Sequence, residues 1–274
     1  MKDTKSYNEL VQKMRIFFLN RGFIEVPTQS RLSILAACEN PHSVATFEYN
    51  GLVWPLPQTG QMWLEYELLK NPDWAGVFCI STSYRDEKTP IDGRHEKIFP
   101  MFEFESKGGM KDLEKLEYEL LKHLGFDDPV VVDYDTVCKE YGDVEILENE
   151  HETKMWEEKG SVVSLQNFPI RTSPFWNMKH SGNGIFNKID VILYGQETIG
   201  SAERSCDVDE MRKMFYEISD GTYANKLFEL FGKERVEKEL EEFLSFDFFP
   251  RFGGGIGMTR LTRANILKEQ ESFL

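Results

Sequence analysis

The chain has 274 residues, 41% of them hydrophobic, and carries a formal net charge of −15. That length and apolar content support a substantial buried core, and no apolar run approaches the roughly 20 residues that span a bilayer. The four cysteines (Cys38, Cys79, Cys138, Cys206) form no CxxC pair, which argues against a disulfide framework or a zinc site and fits a reducing compartment.

The N-terminus, MKDTKSYNEL, lacks the apolar stretch of a signal peptide, so a soluble, cytoplasmic protein is expected. The acidic balance weighs against tight binding of a large RNA, because backbone affinity rests on clustered Lys and Arg. Residues 4–20 read as an amphipathic helix, with Leu10, Met14, Phe17 and Phe18 on one face. Phe23 to Val26 reads as a strand stopped by Pro27, and Phe47 to Pro57 as a hairpin around Asn50-Gly51. A helix follows over Gln61–Leu69, then strands over Val77–Ser83 and Ile98–Glu105, separated by a polar loop from Asp86 to Lys97. Two strands with so long a loop suggest an antiparallel pair and a functional loop. Leu113–Leu124 is helical. The acidic stretch from about Asp143 to Glu158 is expected to be solvated surface. Ser161–Phe168 and Ile189–Tyr194 read as strands, and Tyr223–Leu244 as helix interrupted at Gly232. A Gly-rich turn at 252–257 leads into a last helix from Met258. The order suggests an α+β domain built on an antiparallel sheet.

Three segments carry candidate chemistry. The first runs from Tyr84 to Glu105. Its Arg85 can grip a phosphate in bidentate fashion, Arg94 and His95 sit on the loop, and Phe99 can stack on a purine. Taken alone, Arg85 pairs as readily with a nearby glutamate, and Phe99 belongs as readily to a core. The second is Gly253-Gly254-Gly255-Ile256-Gly257 followed by Arg260. Its glycines allow close approach of backbone to ligand, but it is neither a P-loop nor a GxGxxG in βαβ context. The third is Asp190, Glu197 and Arg204, where paired carboxylates suit Mg²⁺ on nucleotide phosphates. Spacing alone favours a surface salt-bridge set there.

Together the three segments resemble the class II aminoacyl-tRNA synthetases, over nearly the whole chain. FIEVP at 23–27 with its helix looks like motif 1, Tyr84–Glu105 like motif 2, and GGGIGMTRL at 253–261 like motif 3. The branch it is most similar to is the aspartyl/asparaginyl one, which includes stand-alone ammonia-dependent asparagine synthetases. The resemblance implies a class II catalytic domain over residues 1–274, an antiparallel sheet flanked by helices, and a homodimer through motif 1. It implies ATP and Mg²⁺ as cofactors, with Arg85, Glu87, Arg94, His95, Phe99, Gly255, Gly257 and Arg260 on ATP and Asp190 and Glu197 on the metal. It places Glu39, Gln61, Glu65, Ser201 and Arg204 around the amino acid, with Arg85 and Arg260 catalytic. Pro174–Met178 is similar to the family's PFYTM-type stretch.

Thr59–Glu65 fits the SGQLxxE pattern of asparaginyl enzymes, where aspartyl enzymes carry a lysine in place of Leu64. An aspartate carboxylate wants cations, whereas an amide wants one donor and one acceptor, which Arg204 and Glu65 can supply. The chain departs from the family pattern at Thr259, where an acidic residue is usual, and at Ile98, where a glutamate reads adenine. No anticodon-binding domain is expected, since the motif 1-like region starts near residue 7. The expected function is amino-acid adenylation, of asparagine or aspartate, with the acyl acceptor (ammonia, an amine or a tRNA) left open. A non-catalytic regulatory paralogue and an asparagine synthetase remain the alternatives.

Overall fold

The computed structural model describes residues 3–28, 32–35, 41–91, 93–94 and 96–271. Glu39 and His95, both assigned site roles above, lie outside the described residues. In chain order the elements begin with α1 (Thr4–Leu19), β1 (Ile24–Glu25), the hairpin β2 (Ala45–Tyr49) and β3 (Leu52–Leu56), α2 (Gln61–Lys70), β4 (Gly76–Tyr84), β5 (Ile98–Lys107) and α3 (Met110–His123). Next come β6 (Val130–Asp133), α4 (Tyr134–Glu140), α5 (Asn149–Lys159), β7 (Val162–Pro169), β8 (His180–Gly182), β9 (Ile185–Leu193) and β10 (Gln196–Arg204). The chain continues through α6 (Val208–Glu217), α7 (Thr222–Phe231), α8 (Lys233–Leu244), β11 (Arg251–Gly257) and α9 (Met258–Glu271).

The main sheet runs β1-β4-β5-β11-β10-β9-β7-β6, with β8 beside β9. Its interior pairs are antiparallel, and the outermost pairs, β1 with β4 and β6 with β7, are parallel. The expected antiparallel sheet flanked by helices is therefore present, with mixed edges.

Alternation along the strands separates two chemistries, because successive side chains point to opposite faces. One face holds Phe78, Phe102, Phe104, Phe252, Ile256, Ile199, Ile189 and Val191, packed with α1, α3 and α9. Phe18 is its hub. Its ring lies 5.7 Å from Phe78, 5.2 Å from Phe102 and 5.3 Å from Phe104, and Phe78 stacks on Phe102 at 5.2 Å. The opposite face carries the polar residues. A second apolar cluster (Met62, Trp63, Tyr66, Trp176, Phe215, Tyr223, Phe243) joins α2 to α6, α7 and α8.

Two expectations change. The glycine-rich segment is not a turn but β11, a central strand between β5 and β10. Glycine has low β-propensity, yet the flanking side chains leave no room for anything larger at several of these positions. The acidic stretch is not all solvated surface either. Residues 149–159 form α5, which buries Met155 against β7 and β9 and turns Glu152 toward the sheet. Truncating Phe18 to alanine is expected to lower unfolding free energy by about 3–5 kcal/mol, read as a shifted urea midpoint at unchanged m-value.

Candidate active site

The polar face is built from registers across four strands. Glu105, Gly253, Ala202 and Lys188 lie side by side on β5, β11, β10 and β9, and Glu103, Gly255, Gly200 and Asp190 form the adjacent row. In each row a charged residue at either end flanks two of the smallest residues. The result is a nearly bare floor with charged walls. A Cβ on Gly253 would fall inside the Glu105 carboxylate, and one on Gly255 would stand 2.8 Å from Met101 Cε and 3.1 Å from Gln61 Nε2.

Helix α2 supplies one wall, and a buried acid anchors it. Glu103 accepts from Gly60 N–H at 2.9 Å and from the hydroxyls of Thr59 and Ser81. Its carboxylate thus meets the orphan donors and positive end of the helix dipole. Burial still raises its pKa, against the pull of those hydrogen bonds. This anchoring sets Gln61 at the first turn and Glu65 four residues on, along one helix face.

Glu65 is fully buried, so it is not a helix-surface charge. Its Oε2 accepts from Arg251 Nε at 3.0 Å and Nη2 at 2.8 Å, while Oε1 accepts from Asn177 Nδ2 at 2.6 Å. Arg204 lies 3.7 Å from Glu65 Oε1. Arg204 donates through Nε to Glu105 Oε1 at 3.0 Å and through Nη2 to Gln61 Oε1 at 3.2 Å. Burial drives the Glu105 pKa upward, and Arg204 pulls it back. Burial alone would lower the pKa of Arg204, but Glu105 and Glu65 outweigh it and keep the guanidinium charged.

Two cavities open on this face. The larger, about 740 Å³, is lined by Arg85, Glu87, Arg94, Phe99, Glu152, Glu197, Gly257, Thr259 and Arg260, among others. The smaller, about 90 Å³, is lined by Gln61, Glu65, Asn177, Lys188 and Arg204, among others. Arg85, Met101, Glu197, Gly200 and Gly255 line both, so the cavities meet over the bare floor. Phe99 is half-buried with the Arg85 guanidinium 5.4 Å from its ring centroid. Arg260 stands in the first turn of α9 and donates to the Glu197 carbonyl at 2.6 Å. Arg94 pairs with Glu152 at 2.6 Å and donates to Gly195 O at 2.9 Å. Ile98 is exposed and lies outside both linings.

Asp190 Oδ1 and Glu197 Oε1 converge on the same bare Cα. A Cβ on Gly200 would stand 3.6 Å from the first and 3.0 Å from the second. This cradle, with two carboxylate oxygens over open floor, fits a hard divalent cation such as Mg²⁺.

The family model described as tRNA synthetases class II (D, K and N) matches residues 2–271. The chain belongs to this family. No curated protein matches the sequence. Among solved structures, it is similar to asparaginyl-tRNA synthetase from Pyrococcus horikoshii complexed with asparaginyl-adenylate, with TM-score 0.78 and 20% identity over 95% of this chain and 64% of that one. The Entamoeba histolytica asparaginyl-tRNA synthetase, also in complex with asparaginyl-adenylate, gives TM-score 0.74 at 17% identity over 95% of this chain and 63% of that one. Aspartyl-tRNA synthetase from the same organism gives 0.66 at 19% identity, over 95% and 54%. At such identities the likeness is one of fold, and the chain spans less than two thirds of each of these relatives.

Among the described residues, the sequence-assigned ones gather around the two cavities and the Gly200 cradle, but the Ser201 hydroxyl turns away. Ser201 falls on the opposite face of the sheet from Gly200, because it is one residue along the strand. Its hydroxyl donates to Glu117 Oε1 on α3 at 2.6 Å and approaches Ile189 O at 3.3 Å. That hydroxyl is therefore turned away from the floor, although Ser201 borders the small cavity. Four contributors went unassigned: Glu152, Lys188, Asn177 and Arg251. Lys188 donates to Asp190 Oδ2 at 3.0 Å and lies 4.1 Å from the Phe168 ring. Its place two residues before Asp190 on a strand was a usable signal. Glu152 accepts from Glu197 N–H at 2.9 Å from a distant acidic helix, which no local pattern marks.

Glu117 tests this two-faced sheet. Burial pushes its carboxyl up to about 8, with the Ser201 hydrogen bond opposing and Glu114 adding to the rise. Between the unfolded value near 4.5 and the folded one, the native state binds the extra proton. Its contribution therefore makes stability fall as pH rises through that window, by up to about 1.4 kcal/mol per unit. Glu117→Gln is expected to flatten the urea-midpoint profile between these limits and to be more stable than the parent at pH 8.

Proposed function

We propose that the chain is an ATP-dependent ligase that activates a small amide-bearing amino acid, asparagine, as its aminoacyl-adenylate. The observation that carries this reading is the junction of the two cavities beside Arg85. A nucleotide in the larger cavity and an amino acid in the smaller one would bring the α-phosphate and the α-carboxylate together at that seam.

The amino-acid carboxylate is already ionised at neutral pH, so no general base is needed. One carboxylate oxygen attacks the α-phosphorus, the new C–O–P linkage forms, and the bond to the bridging oxygen of pyrophosphate breaks. Positioning and charge stabilisation then supply the rate. Arg85 spreads its planar charge at the reacting phosphate, and Arg260 faces the polyphosphate from the α9 end. Phe99 offers a ring face to the adenine. Asp190 and Glu197 would hold Mg²⁺, which when bound neutralises phosphate charge. In the small cavity Gln61 and Arg204 supply donors to the amino acid, while Glu105 and Glu65 keep Arg204 oriented.

A nucleophile then takes the acyl group. The charge of −15 favours a small nucleophile over a nucleic acid. The apolar Ile16, Leu19 and Ile24, exposed along α1 and β1, support a homodimer through that edge. Among the described residues Cys79, Cys138 and Cys206 are free, in keeping with a cytoplasmic protein, and no helix is long and apolar enough to cross a membrane.

Amino-acid-dependent exchange of pyrophosphate into ATP tests the reading. Asparagine is expected to support exchange, and Arg85→Ala and Arg260→Ala are each expected to lower kcat about 10²–10³-fold, the usual loss for a charge-stabilising donor. Exchange with none of the twenty amino acids, by folded protein that binds ATP, would contradict it.

A further inference from the structure

Asn177 lies between β7 and β8 on a backbone that is firmly held. Its carbonyl accepts from Ser205 N–H at 2.8 Å, and its neighbour Met178 bridges to Arg204. Trp176, just before it, packs against Phe215 and Phe243 at ring distances of 5.5 and 5.7 Å. The Asn177 side chain is fully buried and borders the small cavity.

Chemistry fixes which way its amide points. The group 2.6 Å from Glu65 Oε1 and 3.4 Å from Met62 Sδ faces two acceptors. A carboxylate accepts only, so the amide NH₂ must be the end that meets it. Glu65 cannot turn away to release this contact, because Arg251 holds its other oxygen through two hydrogen bonds. The opposite end of the Asn177 amide is therefore an acceptor by necessity. Among the described residues this Oδ1 has no hydrogen-bond partner. Buried acceptors are rarely left so unless something outside the protein supplies a donor.

We propose that Asn177 selects the side chain of the substrate, its Oδ1 accepting an N–H from a primary carboxamide while Arg204 donates to the carboxamide oxygen. The inference rests on the adenylation reading and deepens it. Arg204 only donates and Asn177 Oδ1 only accepts, and this pair complements an amide, which has one of each to offer. A substrate carboxylate has no hydrogen to give Oδ1 and would bring a second negative charge near Glu65. Glu65 thus acts at one remove, as a positioning residue that orients Asn177. The sequence pattern had given Glu65 itself the task of reading the amide, but the structure shows both its oxygens engaged.

The test compares asparagine with aspartate in pyrophosphate exchange, using the parent protein, Asn177→Leu and Asn177→Thr. Leucine keeps the shape and removes the acceptor; threonine is the gentler change if leucine impairs folding. Calorimetric titration with ATP reports on the larger cavity, which Asn177 does not line. ATP affinity is expected to stay within about twofold, while the asparagine-to-aspartate ratio of kcat/KM falls by about tenfold or more, as when a buried polar partner is lost. A smaller fall with ATP binding intact overturns the proposal. So does a parent enzyme that prefers an amino acid lacking a side-chain N–H, although adenylation would then stand. Loss of ATP binding in both variants would mark Asn177 as a residue of the fold and overturn the assignment. A parent that exchanges with no amino acid sinks the adenylation reading itself, and this proposal with it.

Discussion

A guanidinium held out of water between carboxylates organises this molecule. Arg204 lies buried between Glu105 and Glu65, and Glu65 is in turn gripped by Arg251, itself fully buried. Desolvating such groups is expensive, and removing one partner would strand the others, so the set survives only as a whole. A lattice of this kind is weak evidence for stability and better evidence for a task. Here it fixes a cationic donor at the end of a small cavity, with its direction set on two sides. The rest of the polar face follows from that placement: α2 must dock where Gln61 and Glu65 can reach it, and the buried Glu103 at the helix N-terminus makes it dock there.

The same face needs empty space above it. Strands usually fill their surfaces with β-branched and aromatic side chains, and on the other face this sheet does so, around Phe18. On the polar face the central positions are Gly253, Gly255, Gly200 and Ala202. The glycine-rich strand is therefore the price in sheet propensity for a floor on which phosphate and carboxylate can lie close to backbone. It also explains why both cavities share Gly200 and Gly255, and why Asp190 and Glu197 converge there.

Much of this was legible in the sequence where periodicity is strong. α1 with its Leu10, Met14, Phe17 and Phe18 stripe, the Asn50-Gly51 hairpin and the leucine face of α3 all appear close to the expected bounds. The site was legible through the family resemblance: Arg85, Gln61, Glu197, Arg204 and Arg260 line the joined cavities, and Asp190 meets Glu197 over Gly200. What local pattern misses is whatever depends on tertiary contact. β11 looked like a turn because its glycines answer to Glu105 and Met101 on a neighbouring strand. The resemblance put Ser201 beside the amino acid, whereas strand alternation turns its hydroxyl to the opposite face. Asn177 lies in the Pro174–Met178 stretch, which the resemblance marked without giving it a role, and Glu152 comes from a segment with no motif signal, brought in by packing of α5.

The central claim is that the two cavities form one continuous site for a joined nucleotide and amino acid. Calorimetric titration with a sulfamoyl-linked, non-hydrolysable analogue of asparaginyl-adenylate tests it directly. Joining two ligands that occupy one site raises affinity well beyond either part, by factors on the order of 10²–10⁴. The account predicts one analogue bound per chain at least about a hundredfold tighter than AMP or asparagine alone. Binding no tighter than AMP would contradict it.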